Sequence, residues 1–109
     1  MARDHPEVID RYVAAQAARD WDALVALFTP DAVVVDEGRS WDGATQIRSW
    51  REGVAAAYEY TTELTSVDHT STGRYVAHVR LEGNFPGGIV DLEYEFTVDG
   101  DRISRLEIG

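Results

Sequence analysis

The sequence IVDLEYEFTV, at residues 89–98, alternates between apolar and polar side chains and decides the fold class. Successive side chains of a β-strand point to opposite faces of the sheet, so this alternation predicts a strand with one buried face. The apolar face would carry Val90, Leu92, Tyr94, Phe96 and Val98. Three acidic residues and a threonine would occupy the other face. The pattern is typical of an antiparallel sheet that is covered on one side.

Further segments with the same period surround this strand. Residues 60–69, 74–85 and 102–108 are predicted strands, and turn sequences rich in Gly, Pro and Asp separate them. Within residues 74–85 one face would hold Tyr75, Ala77, Val79 and Leu81. The other face would hold Val76, His78, Arg80 and Glu82. The pattern alone leaves open which of the two faces points into the protein.

The first half of the chain has helical patterns instead. Asp4 would cap a first helix, with Pro6 in its first turn and Glu7 three residues after the cap. Its inward stripe would hold Val8, Ile9, Tyr12, Val13 and Gln16. Asp20 would cap a short second helix that ends at Thr29-Pro30, because proline cannot continue a helix. The inward residues of this second helix would be Leu24, Val25, Leu27 and Phe28.

A strand and a third helix complete the pattern. Residues 32–36, AVVVD, are mostly β-branched and predict a strand, followed by a loop over residues 37–40. Asp42-Gly43 would open the third helix, whose inward stripe would hold Ile47, Trp50, Arg51, Val54 and Tyr58. Helices followed by a strand meander predict an α+β fold, a single domain over residues 1–109 with three helices against a curved antiparallel sheet. The open end of such a cone is a natural pocket.

Composition excludes several classes of function. The net charge of −10 argues against DNA, RNA and anionic membrane surfaces, since phosphate binding needs clustered Lys and Arg. The chain has no cysteine, and its three histidines are too dispersed for a metal-ligand spacing, so we expect no metal site. We see no signal sequence and no apolar run long enough to span a membrane, so we expect a soluble, cytoplasmic protein.

Four segments resemble the nuclear transport factor 2-like superfamily, which includes ketosteroid isomerase and the SnoaL-like polyketide cyclases. They are RYVAA at 11–15, DWDALVALF at 20–28, DAVVVD at 31–36 and GATQIR at 43–48, and the final hairpin adds to the likeness. The resemblance implies a cone-shaped, cystatin-like α+β barrel. It also implies cofactor-free chemistry and a homodimer formed through the outer face of the sheet.

The resemblance to ketosteroid isomerase also implies roles for particular residues. Tyr12 matches the tyrosine that donates to the substrate oxyanion, and Asp36 matches the aspartate that moves the proton. The position of the third acid falls near Tyr94, which departs from the family pattern. A tyrosine there could still donate a hydrogen bond.

Each candidate catalytic residue has a structural alternative. Asp36 ends its strand on the same face as Val34, so it would either face the cavity or lie in solvent beside Glu37. Tyr12 would either act on a ligand or serve as a core tyrosine, and in both cases we expect its ring to line the pocket. His78 would be a second acid/base group if its strand face looks inward, and a surface or dimer-interface residue otherwise.

Aromatic residues are the expected lining of the pocket, although core packing would explain most of them equally well. With Val34 they form the predicted lining set: Phe28, Val34, Trp41, Trp50, Tyr58, Tyr60, Tyr94 and Phe96. Trp41 follows a polar loop and lies in no periodic element, so we predict that it covers the cavity mouth. Such a lining suits a flat or apolar ligand.

Three functions fit these observations. The first is a cofactor-free enzyme that isomerises, cyclises or dehydrates a small hydrophobic molecule, with Asp36 taking the proton and Tyr12, aided by Tyr94 or His78, stabilising the oxyanion. The second is a non-catalytic ligand-binding or dimerisation module. The third is a partner-protein adaptor, which would show a large apolar patch on the outer face of the sheet.

Overall fold

The computed structural model describes residues 5–109, and its first helix buries the stripe expected from the sequence. Helix α1, Glu7–Ala18, buries Val8, Ile9, Tyr12, Val13, Ala15 and Gln16. Pro6 directly precedes the helix in an extended conformation, and no side chain caps it within the described residues. The predicted cap, Asp4, lies outside the described residues. The helix ends at Arg19, whose φ of 56° is in the left-handed region.

The second helix is shorter than predicted. Helix α2, Trp21–Ala26, begins at Asp20, whose carboxylate accepts a hydrogen bond from the Ala23 amide. Phe28 is not helical as expected but begins strand β1, Phe28–Asp36, and pairs with Ile103. Pro30 lies inside this strand, between Phe28 and Val33, where the ladder register shifts. A proline is tolerated at such an irregularity because no ladder hydrogen bond is lost there.

The predicted loop at residues 37–40 is a tight hairpin. Glu37 and Gly38 form a two-residue turn with positive φ angles of 53° and 76°. This turn leads into strand β2, Arg39–Asp42, which pairs antiparallel with the end of β1. Positive φ at both turn residues matches the right-handed twist of the paired strands. Helix α3, Gly43–Ala57, follows β2 directly, and Ile47, Trp50 and Arg51 of its predicted stripe are buried.

Four long strands complete one sheet of six strands. They are β3, Tyr60–Ser71; β4, Arg74–Gly83; β5, Ile89–Asp99; and β6, Arg102–Ile108. The strand order is β2-β1-β6-β5-β4-β3, with a parallel contact only between β1 and β6. The curved sheet is not closed, since β2 and β3 are its two edges. This is the mixed α+β architecture that the sequence predicts.

Strand β4 ends at Gly83, two residues before the predicted end. The Gly83 amide donates to the Gly88 carbonyl oxygen, and the chain turns there. A Cβ atom at Gly83 would lie 2.1 Å from the Glu59 carbonyl oxygen, so the approach of the two backbones requires glycine.

The hydrophobic core lies between the helices and the inner face of the sheet. Its sheet members include Ala77, Val79, Leu81, Tyr94 and Phe96. The inner face of β4 is therefore the one that carries Ala77 and Val79. No helix within residues 5–109 has both the length and the apolar character to cross a lipid bilayer.

Candidate functional site

A cleft of about 770 Å³ lies between α3 and the inner face of the sheet, and we call it the α3 cleft. Helix α3 contributes Ser49, Trp50, Arg51, Gly53, Val54 and Ala57. The sheet contributes Leu81, Val90, Leu92, Tyr94 and Ile108. The connections and strand ends around it contribute Asp36, Glu37, Arg39, Trp41, Tyr58, Tyr60, Phe85, Pro86 and Gly109. Most of this wall is aromatic or aliphatic, with few charged groups.

Asp36 is one of the charged groups at the cleft. It is the last residue of β1, where the strand pairs with Arg39 of β2 and Ile108 of β6. The Trp50 indole Nε1 donates a hydrogen bond of 2.9 Å to the Asp36 Oδ2 atom. Oδ1 has no partner among the described residues, so it is available to a molecule in the cleft. The side chain is half-buried and held by α3.

Arg51 carries a buried positive charge at the cleft, with only 3% of the residue exposed. Its Nη1 donates to the Tyr12 hydroxyl oxygen at 3.4 Å and to the Gln16 side-chain oxygen. The face of the Trp50 ring lies against the guanidinium, with 4.1 Å between Cζ and the ring centroid. Within residues 5–109, no carboxylate forms an ion pair with Arg51.

Gln16 joins this guanidinium to the sheet. Its side-chain nitrogen donates to the Tyr94 hydroxyl at 3.1 Å and to the Thr62 hydroxyl at 3.3 Å. The Gln16 oxygen accepts from Arg51. Four side chains from three separate elements thus form one buried polar cluster. They are Tyr12 and Gln16 of α1, Arg51 of α3 and Tyr94 of β5.

The phenols of this cluster are neutral and the guanidinium is charged. Burial raises the pKa of Tyr12 well above its usual value, although Arg51 acts in the opposite direction. Burial also raises the pKa of Tyr94. Burial opposes the charge on Arg51, but the neighbouring phenol oxygens outweigh it and raise the pKa of Arg51. Tyr12 and Tyr94 therefore contribute dipoles, not negative charges, to the surroundings of Arg51.

The expected lining residues divide into two groups. Trp41, Trp50, Tyr58, Tyr60 and Tyr94 border the α3 cleft. Phe28, Val34 and Phe96 do not border it, because all three lie within the core. Trp41 belongs to the edge strand β2, and the Arg39 guanidinium lies 4.5 Å from its ring centroid. Trp41 thus lies on a strand and borders the cleft, whereas the sequence places it in no periodic element.

Tyr12 is placed differently from the expectation that its ring would line the pocket. It is completely buried and its ring packs edge-on against Phe28, Phe96 and Tyr94. The stripe of α1 faces the sheet directly, and Arg51 borders the cleft where a Tyr12 hydroxyl was expected. Tyr12 can therefore influence the cleft only indirectly, through Arg51 and Tyr94, which border it.

His78 lies on the outer face of the sheet. Its neighbours in sequence, Ala77 and Val79, are the buried ones, so strand alternation directs His78 away from the cleft. Its Nε2 lies 2.9 Å from a carboxylate oxygen of Asp68, and Glu93 is on its other side. The structure thus excludes His78 from this site. Among residues 5–109, no three His, Asp or Glu side chains gather as metal ligands would.

Arg51 and Gln16 are the site residues to which the sequence assigns no role. Both occupy inward stripe positions of predicted helices, and a polar residue at such a position is itself a signal. The signal is weak because long side chains often bury their stems and extend their polar ends into solvent. Only the fold shows that these two meet.

Comparisons with known proteins agree with this architecture. The family described as SnoaL-like domain matches residues 9–106. A Sinorhizobium meliloti protein proposed to be a polyketide cyclase is 36% identical, with a TM-score of 0.91, and the match covers 97% of this chain and 96% of that one. A comparison with curated proteins finds no match.

More distant structures share the fold. A Catenulispora acidiphila protein with a ketosteroid isomerase-like fold, in complex with trimethylamine, is 22% identical with a TM-score of 0.85 over 95% of this chain and 85% of that one. TerC, co-crystallised with polyporic acid, is 17% identical with a TM-score of 0.83 over 94% and 88% of the two chains. At these identities the likeness shows the fold alone. The family match over residues 9–106 shows that the chain belongs to the SnoaL-like domain family.

Proposed function

We propose that the α3 cleft binds a small, flat and largely apolar molecule. The observation that carries this proposal is the cleft itself, about 770 Å³ in volume and walled by tryptophan, tyrosine and aliphatic side chains. Ligand sites are typically concave and apolar, with a few polar groups that orient the ligand. Asp36, Arg51 and Tyr94 are the polar groups available for this. The complexes of distant relatives with trimethylamine and polyporic acid are consistent with a small-molecule site in this fold.

The proposal extends to cofactor-free acid/base chemistry with Asp36 as the proton acceptor. Trp50 fixes one carboxylate oxygen and leaves the other open to the cleft, as a general base requires. Tyr94, a neutral phenol at the cleft, is the group that would donate to a developing oxyanion. Tyr12 would act as a positioning residue through Arg51. The reaction class is an isomerisation, cyclisation or dehydration, and the similarity to a proposed polyketide cyclase favours cyclisation.

The test begins with a library of small ketones and polyketide fragments, screened for binding and then for product. For any substrate found, Asp36→Asn should lower turnover by about 10²–10⁴-fold, because the proton acceptor is removed, while affinity changes little. Glu63→Gln on the exposed edge strand β3 is the matched control and should behave as wild type. Unchanged turnover in Asp36→Asn would end the catalytic assignment.

A non-catalytic ligand-binding module is the second candidate. It is favoured by the burial of Tyr12 and by tyrosine at the third acid position, since the constellation of ketosteroid isomerase is not assembled at the cleft. In that case a ligand would bind Asp36→Asn as tightly as wild type, and no product would form with either protein during long incubation.

The adaptor function has less support. Tyr58 and Ile89 are the two large hydrophobic side chains that are exposed among residues 5–109, and Tyr58 borders the cleft. The outer face of the sheet carries charged groups such as Arg80 and Asp91, which bond to each other. The large apolar patch that an adaptor would need is therefore not found in the described part of the chain. A cytoplasmic location and a homodimer remain proposals.

A further inference from the structure

Only one of the three guanidinium nitrogens of Arg51 makes hydrogen bonds to the described residues. Nη1 donates to Tyr12 and Gln16. Nε has no hydrogen-bond partner and is shielded from solvent. Nη2 also has no partner among the described residues, but it is not shielded, and Arg51 borders the cleft. Nη2 is therefore the guanidinium nitrogen that a molecule in the cleft can reach.

In the described part of the chain, no carboxylate forms an ion pair with this cation. Tyr12, Tyr94 and Gln16 are neutral, and one face of the guanidinium is covered by the Trp50 ring. Asp36 accepts a hydrogen bond from Nε1 at the edge of the same indole, and it forms no ion pair with Arg51. A buried charge without a counter-charge is costly, and a ligand that supplies the opposite charge would reduce that cost.

We propose that the ligand of the α3 cleft carries a carboxylate, or an equivalent oxyanion, which binds to Nη2 of Arg51. A hydrogen bond between a guanidinium N–H and a carboxylate oxygen is charge-assisted, and such bonds are roughly twice as strong as neutral ones. The apolar body of the ligand then lies along Trp50, Leu92 and Val90. This inference rests on the proposed binding function of the cleft and specifies the class of ligand.

Binding of the anionic group to Arg51 also places the ligand near Asp36. Trp50 contacts both charged groups, the guanidinium on its ring face and the carboxylate at its Nε1. Arg51 and Asp36 border the same cleft, so a molecule held by its anionic end at Arg51 shares the cleft with the Asp36 carboxylate. The positive and negative groups would thus hold opposite ends of one small molecule.

The experiment compares two flat probes that differ only in charge, 2-naphthoate and 2-naphthamide. Trp41 and Trp50 border the cleft, so binding can be followed by tryptophan fluorescence and checked by calorimetry. For wild type we expect 2-naphthoate to bind about ten- to a hundredfold more tightly than the amide, as for a hydrogen-bonded charge. Arg51→Met should lose this preference and keep its affinity for the amide.

Two further variants make the result specific. Arg48→Met removes a cation from the same helix that pairs with Asp22 outside the cleft, and it should retain the wild-type preference. Arg51→Lys keeps the charge without the planar group that stacks on Trp50, and it should show an intermediate preference. Circular dichroism checks that each variant is folded.

The outcomes distinguish the proposed anionic ligand from the proposed binding function of the cleft. Equal affinity of the two probes for wild type would overturn the anionic ligand and leave the binding function standing. Binding of neither probe would overturn both. A preference that survives Arg51→Met and disappears in Arg39→Met would place the anion at the exposed Arg39 and would also overturn the inference.

Discussion

At the scale of single residues, the cleft contains an arrangement that is unfavourable for stability alone. Arg51 is buried without an acidic partner in the described chain, and its Nε makes no hydrogen bond. Gln16 reduces the cost of this burial, since its oxygen accepts a hydrogen bond from Arg51 and its nitrogen donates one to Tyr94. We therefore assign Arg51 to ligand binding and Gln16 to structural support.

These two assignments predict different effects on stability. Arg51→Met should change the free energy of unfolding by less than about 2 kcal/mol, because removal of an unpaired buried charge offsets the loss of its hydrogen bonds to Tyr12 and Gln16. Gln16→Leu should lower it by about 1–3 kcal/mol, because it removes the hydrogen bonds that Gln16 makes to Arg51, Tyr94 and Thr62. Urea unfolding measures both. A loss of more than about 2 kcal/mol in Arg51→Met would show that the guanidinium is structural.

The buried phenols predict sensitivity to alkali. Burial raises the pKa of Tyr12 and Tyr94 in the folded state, whereas in the unfolded chain a tyrosine loses its proton near pH 10. Above that pH the unfolded state binds fewer protons than the folded one, so stability falls as the pH rises further. Urea unfolding between about pH 8 and pH 11.5 should show this decrease. The decrease should be shallower in Tyr12→Phe, and an equal slope would argue against the assignment.

At the scale of secondary-structure elements, most of the fold could be predicted from local patterns. The stripes of α1 and α3 and the faces of β4 and β5 follow from the spacing of apolar residues. Two features could not be predicted, because partners distant in sequence determine them. Phe28 is a strand residue since it pairs with Ile103, and residues 39–42 become β2 since the Glu37-Gly38 turn folds them back on β1.

The site was only partly predictable for the same reason. Asp36 and the aromatic residues around it, such as Trp50, follow from their places on predicted elements. The interior position of Tyr12 and the outward direction of His78 depend on the way the helices lie on the sheet. The meeting of Arg51 with Gln16 depends on two helices that are far apart in sequence. Local periodicity contains no information on such contacts.

Two glycines test how tightly the elements pack. Gly83→Ala should destabilise the protein by more than about 2 kcal/mol, because its Cβ would lie 2.1 Å from the Glu59 carbonyl oxygen. Gly53→Ala in the interior of α3 should stabilise it by about 0.5–1 kcal/mol, because alanine favours the helix and nothing lies within 4 Å of its Cβ. Thermal unfolding of both variants measures the contrast. Equal effects would contradict the described packing of β4 against the chain at Glu59.

At the scale of the whole molecule, the two faces of the sheet differ in character. The inner face carries the core and the cleft, and the outer face carries ionic pairs such as Arg80 with Asp91 and His78 with Asp68. The family resemblance predicts that two copies associate through this outer face. Such an interface would be polar, so its stability should depend on salt.

Light scattering tests the association. We expect a mass near twice the 12.1 kDa of one chain at micromolar concentration, and a shift toward the single-chain mass as ionic strength rises. The variant Arg80→Asp, which places two acids side by side on the outer face, should weaken the association. A monomer at all concentrations and salt levels would contradict the predicted dimer.

The central claim is that the α3 cleft is a binding site for a small, flat molecule held by Arg51. A crystal structure of the protein grown with 2-naphthoate tests it most directly. We expect the naphthalene ring inside the cleft against Trp50, with one carboxylate oxygen about 2.7–2.9 Å from Nη2 of Arg51. An empty cleft at saturating ligand, or a ligand bound elsewhere on the surface, would contradict it.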